Sequence, residues 1–63
     1  MRKFNVLILK GNKRPLAYPL VEGEQALQTM ETLAKRGHSV VAVTEANGIK
    51  EQLSLEEMRD IYA

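Results

Sequence analysis

A short basic segment is the strongest candidate for a binding site in this sequence. Lys10, Lys13 and Arg14 place three cations on a turn that also contains Gly11. Lysine and arginine side chains, together with the backbone amides of such a turn, can hold phosphate groups, and the nearby Tyr18 can stack on a base. The segment therefore predicts a site for an acidic protein or for a phosphate backbone.

A protein is the partner that we expect for this loop, and nucleic acid is the alternative. Tyr18 is the one aromatic residue close to the loop, whereas a platform for single strands usually offers more than one. The isoelectric point is about 8.1, below the value above about 9 that marks many nucleic-acid-binding domains. A solvated hairpin tip has the same composition.

A group of carboxylates near the end of the sequence offers a second candidate surface. Glu56 and Asp60 share a helical face at a spacing of four, and Glu57 lies beside them. Such a group could bind a divalent cation or dock onto a basic protein, but the twelve-residue pattern of a calcium loop is missing. We expect these three residues to contact a protein partner, and we predict no metal site.

The sequence offers little support for catalysis. His38 is the one histidine, there is no cysteine, and neither Ser39 nor Ser54 lies in a nucleophile-elbow motif. His38 comes after Gly37 at the end of a predicted helix, where a histidine suits the helix dipole. We expect it to cap that helix, and we predict neither an enzyme nor a cofactor.

Composition and charge are those of a small folded domain with a polarised surface. The chain has 63 residues, of which 44% are apolar, and no cysteine, so residues 1–63 form one domain without disulfides. Residues 1–38 carry seven basic and three acidic side chains, whereas residues 39–63 carry two basic and five acidic ones. Such a polarity can steer a charged partner or favour head-to-tail association.

The first apolar stretch bears on where the protein is located. Arg2 and Lys3 precede residues 4–9, as basic residues precede the apolar region of a secretory leader. The stretch is too short for a leader or a bilayer span, because Lys10 interrupts it. We therefore expect a cytoplasmic protein.

The strand pattern predicts a sheet with an apolar central strand. Residues 4–9 read as a strand, Leu16 to Val21 as the returning strand with Pro19 at an edge or a break, and Val40 to Thr44 as the third strand. Both faces of the first strand are apolar, which favours cover on two sides. One face holds Phe4, Val6 and Ile8, and the other holds Asn5, Leu7 and Leu9.

The segment after the third strand has two interpretations. Asn47-Gly48 is a strong hairpin signal that would pair Ala46 with Ile49 and lead to a short fourth strand over residues 49–52. An irregular loop that runs directly to the last helix is the other interpretation. The sequence leaves both open.

Apolar spacing and capping residues predict two helices. From Gly23 to Arg36 the apolar residues recur every three or four positions, and Gly37 suits a left-handed cap. Ser54 and Glu57 form a capping box before a second, short helix. The staple positions are Leu53 and Met58, and the apolar stripe is Leu55, Met58, Ile61 and Tyr62.

The fold class is therefore α+β, with a small antiparallel three-stranded sheet in the order 2-1-3 and a possible short fourth strand. The long helix covers one face of the sheet. The other face, which holds Leu7 and Leu9, is covered either by the short terminal helix or by a second copy of the chain. A homodimer through the sheet face or a sheet edge is thus expected.

The layout resembles that of the small podovirus proteins that inhibit host RNA polymerase. The resemblance rests on Phe4 in the first strand, Pro19-Leu20, Ala26-Leu27 in the helix, Gly37 and the strand Val40 to Val43. It implies a small, phage-like accessory protein that works by binding. We expect such a protein to modulate or inhibit its partner by occluding a surface of it. The last strand of those inhibitors carries arginines that act against polymerase. The corresponding stretch of this sequence has Ala42 and Thr44 instead. The resemblance therefore does not imply polymerase as the target.

Overall fold

The computed structural model describes residues 2–63 as an antiparallel sheet with two helices. The predicted α+β class is confirmed, but the described residues form five strands, whereas the sequence predicts three with a possible short fourth. In chain order the elements are β1 (Lys3–Leu9), β2 (Leu16–Ala17), β3 (Val21–Glu22), α1 (Gly23–Lys35), β4 (Ser39–Ala46), β5 (Ile49–Leu53) and α2 (Leu55–Tyr62).

β1 is the central strand of the sheet. The strand order is β2-β1-β4-β5, and β3 also pairs with β1, with Phe4 opposite Val21. The predicted order 2-1-3 corresponds to β2-β1-β4. The predicted single strand from Leu16 to Val21 is divided into β2 and β3, because Pro19 lies between them and has no backbone donor for the ladder.

The β4–β5 connection is a two-residue hairpin, which decides between the two interpretations of this segment. Asn47 and Gly48 have φ angles of 54° and 78°, as a turn that matches the twist of its strands requires. Ala46 pairs with Ile49. The strand left open by the sequence is therefore present as β5.

The core lies between the sheet and the helices. Phe4, Val6 and Ile8 of β1 point toward the helices and are buried, since alternate residues of a strand point to opposite faces. The remaining buried apolar residues are Ala26, Leu27, Met30, Leu33, Ala42, Leu53 and Met58.

Both helices pack on the same face of the sheet, so α2, one of the two covers expected for the second face, does not lie there. α2 contacts α1, β4 and β5, and the edge of the Tyr62 ring meets Phe4 with 5.8 Å between ring centroids. α2 lies on this face because its connection to β5 is short. Buried Leu53 ends β5 on the side of the helices, and Ser54, the next residue, caps α2. Ile61, expected in the apolar stripe of α2, is 50% exposed.

Neighbouring residues of β1 test this one-sided core. Replacement of buried Ile8 by alanine should lower the free energy of unfolding by about 2–5 kcal/mol, because it leaves a cavity. Leu7→Ala, on the opposite face, should lower it by less than about 1 kcal/mol. Urea denaturation of the two variants measures both values, and equal losses would contradict a core on one side of the sheet.

Gly23 at the start of α1 provides a second test, because the ring of Tyr62 occupies the space that a side chain would need. Gly23→Ala should therefore lower the free energy of unfolding by about 1–2 kcal/mol, although alanine favours helices. Gln28→Ala, at an exposed position of α1, is the control and should stay within about 0.5 kcal/mol. In a Tyr62→Ala background the Gly23→Ala penalty should vanish, and a penalty that persists there would refute the contact.

Candidate interaction surfaces

The fold brings two basic segments to the same end of the molecule. Leu9, the last residue of β1, pairs with Ser39, the first residue of β4. The loop after β1 and the connection before β4 therefore lie side by side. The resulting surface, here called the basic pole, consists of Lys10, Lys13, Arg14, Lys35 and Arg36.

The loop of the basic pole is a closed turn with its cations outward. Gly11 has a φ angle of 63°, and the N–H of Lys13 donates a hydrogen bond of 3.2 Å to the carbonyl of Lys10. That amide is therefore engaged within the turn. The side chains of Lys10, Lys13 and Arg14 are exposed, so a ligand would meet charged side chains first.

The end of α1 forms the other half of the basic pole. Gly37 has a φ angle of 88°, and the N–H of His38 donates a hydrogen bond of 3.1 Å to the carbonyl of Leu33. The backbone of His38 thus closes the helix end, where its side chain was expected to act. The side chain itself is exposed and adds an imidazole to the surface.

The cations of the basic pole have no acidic partner within the described residues. The ion pairs within residues 2–63 join Arg2 to Glu51 at 3.6 Å and Arg59 to Glu31 at 2.9 Å. Neither pair involves a residue of the basic pole. Residues 9–20 and 33–44 contain no aspartate or glutamate. The pole is therefore a positive surface whose charges are available to a partner, although the negative end of the α1 dipole offsets part of the field.

Tyr18 lies beside the basic pole but is part of the fold. It is half-buried and packs against the core, and its carbonyl accepts a hydrogen bond of 2.9 Å from Nδ2 of Asn5. Its ring lines a polar groove of about 380 Å³ along α1, together with Gln25, Gln28 and Arg36. Arg36 therefore belongs both to this groove and to the basic pole.

The acidic residues form a separate surface on α2. Glu56, Glu57 and Asp60 are exposed, but the carboxylate of Glu57 accepts a 3.0 Å hydrogen bond from the N–H of Ser54. The hydroxyl of Ser54 accepts one of 3.2 Å from the N–H of Glu57, which confirms the capping box. α2 packs on α1, β4 and β5, away from β2. The seven residues expected to bind a partner therefore divide between two surfaces.

The sheet face opposite the helices is a third surface, here called the open face. Leu7, Val41 and Val43 are half-buried there, and Leu9 is 44% exposed. A shallow groove of about 870 Å³ runs over this face. The other residues that strand alternation and register place on the open face are Lys3, Asn5, Ala17, Glu22, Ser39, Glu45, Lys50 and Gln52.

Two features of these surfaces depend on the pairing of the strands and not on a local sequence pattern. Lys35 and Arg36 join the loop cations because Leu9 pairs with Ser39, a pairing already implied by the predicted order 2-1-3. A row of charged residues crosses the open face only because β3 and β5 flank β1 and β4, and the sequence left β5 open. The addition of Lys35 and Arg36 to the loop cations could therefore be predicted from the sequence, whereas the charged row could not.

The described residues show no arrangement typical of a metal centre or a membrane span. Within residues 2–63, no group of three or more His, Asp or Glu side chains could hold a metal ion. No helix in that range has the length and apolarity to cross a bilayer.

Comparison with known proteins adds no relative from which a function could be transferred. No protein-family model, curated protein or solved structure matches the chain. The resemblance to podovirus inhibitors stays a prediction.

The packing of Tyr18 can be tested apart from any binding role. Tyr18→Ala should lower the free energy of unfolding by about 1–3 kcal/mol, because the half-buried ring packs against the core. Tyr18→Phe, which keeps the ring, should stay within about 0.5 kcal/mol. Urea denaturation measures both, and full stability of Tyr18→Ala would show that the ring does not belong to the core.

Proposed function

We propose that this chain is a small, non-enzymatic cytoplasmic protein that binds an acidic surface of a protein partner and blocks that surface. The observation that carries the proposal is the basic pole, where five cations from two segments come together and none forms an ion pair within residues 2–63. Charge complementarity of this kind raises association rates and selects partners. The contact residues are Lys10, Lys13, Arg14, Lys35 and Arg36.

The mixed charge of the surface supports a protein partner over nucleic acid. Glu56 and Asp60 are exposed on α2 and would repel a uniformly negative polymer that extended beyond the pole. A protein can present an acidic patch to the pole and a basic patch to these carboxylates. The N–H of Lys13 is engaged with Lys10, so this amide is not available for a phosphate.

Direct nucleic-acid binding is the second candidate function, and one observation favours it. The polar groove beside the pole combines Tyr18, Gln25, Gln28 and Arg36. An aromatic ring can stack on an unpaired base, and amide side chains can bond to base edges. The groove and the pole together would hold a single strand.

Occlusion is the mechanism that a small binding protein of this kind can perform. The basic pole is exposed at one end of the molecule, on the loop after β1 and at the end of α1. A partner whose acidic site is covered by the pole loses access to its own ligands. The resemblance to podovirus inhibitors that the sequence predicts is in line with this mechanism and with an accessory role.

Removal of charge from the pole tests the proposal. Lys13→Gln/Arg14→Gln should weaken capture of the partner from source-cell lysate about tenfold or more, because two contacts of the pole are lost. Stability should change by less than about 0.5 kcal/mol, since both residues are exposed. The captured proteins are identified by mass spectrometry, with nuclease-treated and untreated lysates compared.

The matched control removes the same charge from the other end of the molecule. Lys3→Gln/Lys50→Gln should leave capture within about twofold of wild type. A partner that resists nuclease and is lost from the pole variant alone supports the proposal. Equal capture by both variants contradicts it, and capture that vanishes with nuclease favours the nucleic-acid alternative.

A further inference from the structure

We infer that the open face binds a second copy of this chain, so that two sheets pack face to face as a symmetric homodimer. The inference is independent of the proposed function, since the basic pole and the open face are separate surfaces. It rests on the arrangement of apolar and charged residues over the open face and on its area.

The open face has an apolar half and a charged end. Leu7 and Val41 lie opposite each other on β1 and β4, and Leu7 also lies opposite Ala17 on β2. With Leu9 they form an apolar half toward the basic pole. Sheets that pack face to face bury such residues in the space between them.

The charged end carries four side chains of alternating sign in one row across the sheet. Glu22 on β3 pairs with Lys3 on β1. Glu45 on β4 continues the β1–β4 register opposite Lys3, and it pairs with Lys50 on β5. The order is therefore negative, positive, negative, positive. None of the four forms an ion pair within residues 2–63, so each charge is available to another molecule.

This alternation makes the open face complementary to itself. A two-fold axis parallel to the strands, between β1 and β4, places Lys3 of each copy against Glu45 of the other. The same axis places Glu22 against Lys50, so all four charges meet the opposite sign. The apolar halves also meet, with Leu7 of one copy against Val41 of the other.

The other face-to-face arrangement is less favourable. A two-fold axis in the plane of the interface and perpendicular to the strands reverses one sheet end to end. In this arrangement the charged end of each copy would lie against Leu9 and the rest of the apolar half of the other copy. Charges buried in this way lose hydration without gaining a partner.

The area suits a dimer of moderate affinity. The molecule measures 29 × 25 × 17 Å along its principal axes, and in a body of two layers the open face lies across the two longer axes, so its outline is at most about 700 Å². Specific interfaces bury about 800 Å² per partner, and weaker ones bury less. We therefore expect dissociation in the micromolar range.

The first experiment measures molecular mass against concentration by sedimentation equilibrium. Wild type should be a dimer at concentrations of about 100 μM and above. Val43→Lys places a charge in the centre of the open face and should weaken association about tenfold or more. Ile61→Lys makes the same kind of change on exposed α2 and should leave association unchanged.

Charge exchange between Lys3 and Glu45 tests the register of the two copies. Lys3→Glu and Glu45→Lys each place like charges across the interface twice and should each weaken self-association about tenfold or more. An equimolar mixture of the two variants should recover the dimer, because each chain then meets the opposite charge. Mixing the two variants does not change the like charges that lie side by side within one chain's sheet. Recovery of the dimer therefore shows that the charges meet between chains.

Three results would overturn the inference. Wild type that remains monomeric at about 1 mM excludes the dimer. A dimer that is insensitive to Val43→Lys lies elsewhere, for example along the edge of β5. Failure of the mixed variants to associate, while circular dichroism shows both to be folded, contradicts the pairing of Lys3 with Glu45.

Discussion

The antiparallel pairing of β1 with β4 is the interaction on which the rest of the structure depends. It fixes which side chains of both strands face the helices, because a shift by one residue would move every side chain to the opposite face. Phe4, Val6 and Ile8 are thereby directed into the core. The same pairing joins Leu9 to Ser39 and so creates the basic pole, which means that core and candidate site share one cause.

The burial of both helices on one side explains how so short a chain holds a core. A domain of this size buries a limited share of its surface, and two faces would divide the available apolar residues between them. Here Met58 and Met30, from different helices, are both fully buried with Phe4 in one cluster. The consequence is a sheet whose second face remains exposed, with its apolar residues available to another molecule.

Much of this fold could be predicted from local patterns. Apolar spacing predicts α1, and the capping box predicts the start of α2, because both signals lie within a few residues of the element they define. The side of the sheet that α2 covers could not be predicted, since it depends on the direction of Leu53 at the end of β5. The loop cations Lys13 and Arg14 could be named as a candidate site from the sequence, whereas the contribution of Lys35 to the basic pole required the strand pairing.

The central claim is that both helices lie on one side of the sheet and leave the other side open. Nuclear Overhauser spectroscopy of a dilute sample measures it directly, through contacts of the Tyr62 ring. Cross-peaks are expected between the ring protons of Tyr62 and Phe4, whose centroids are 5.8 Å apart, and none are expected between Tyr62 and the methyl groups of Leu7. Cross-peaks from Tyr62 to Leu7 or Val41 would place α2 on the other face and contradict the account.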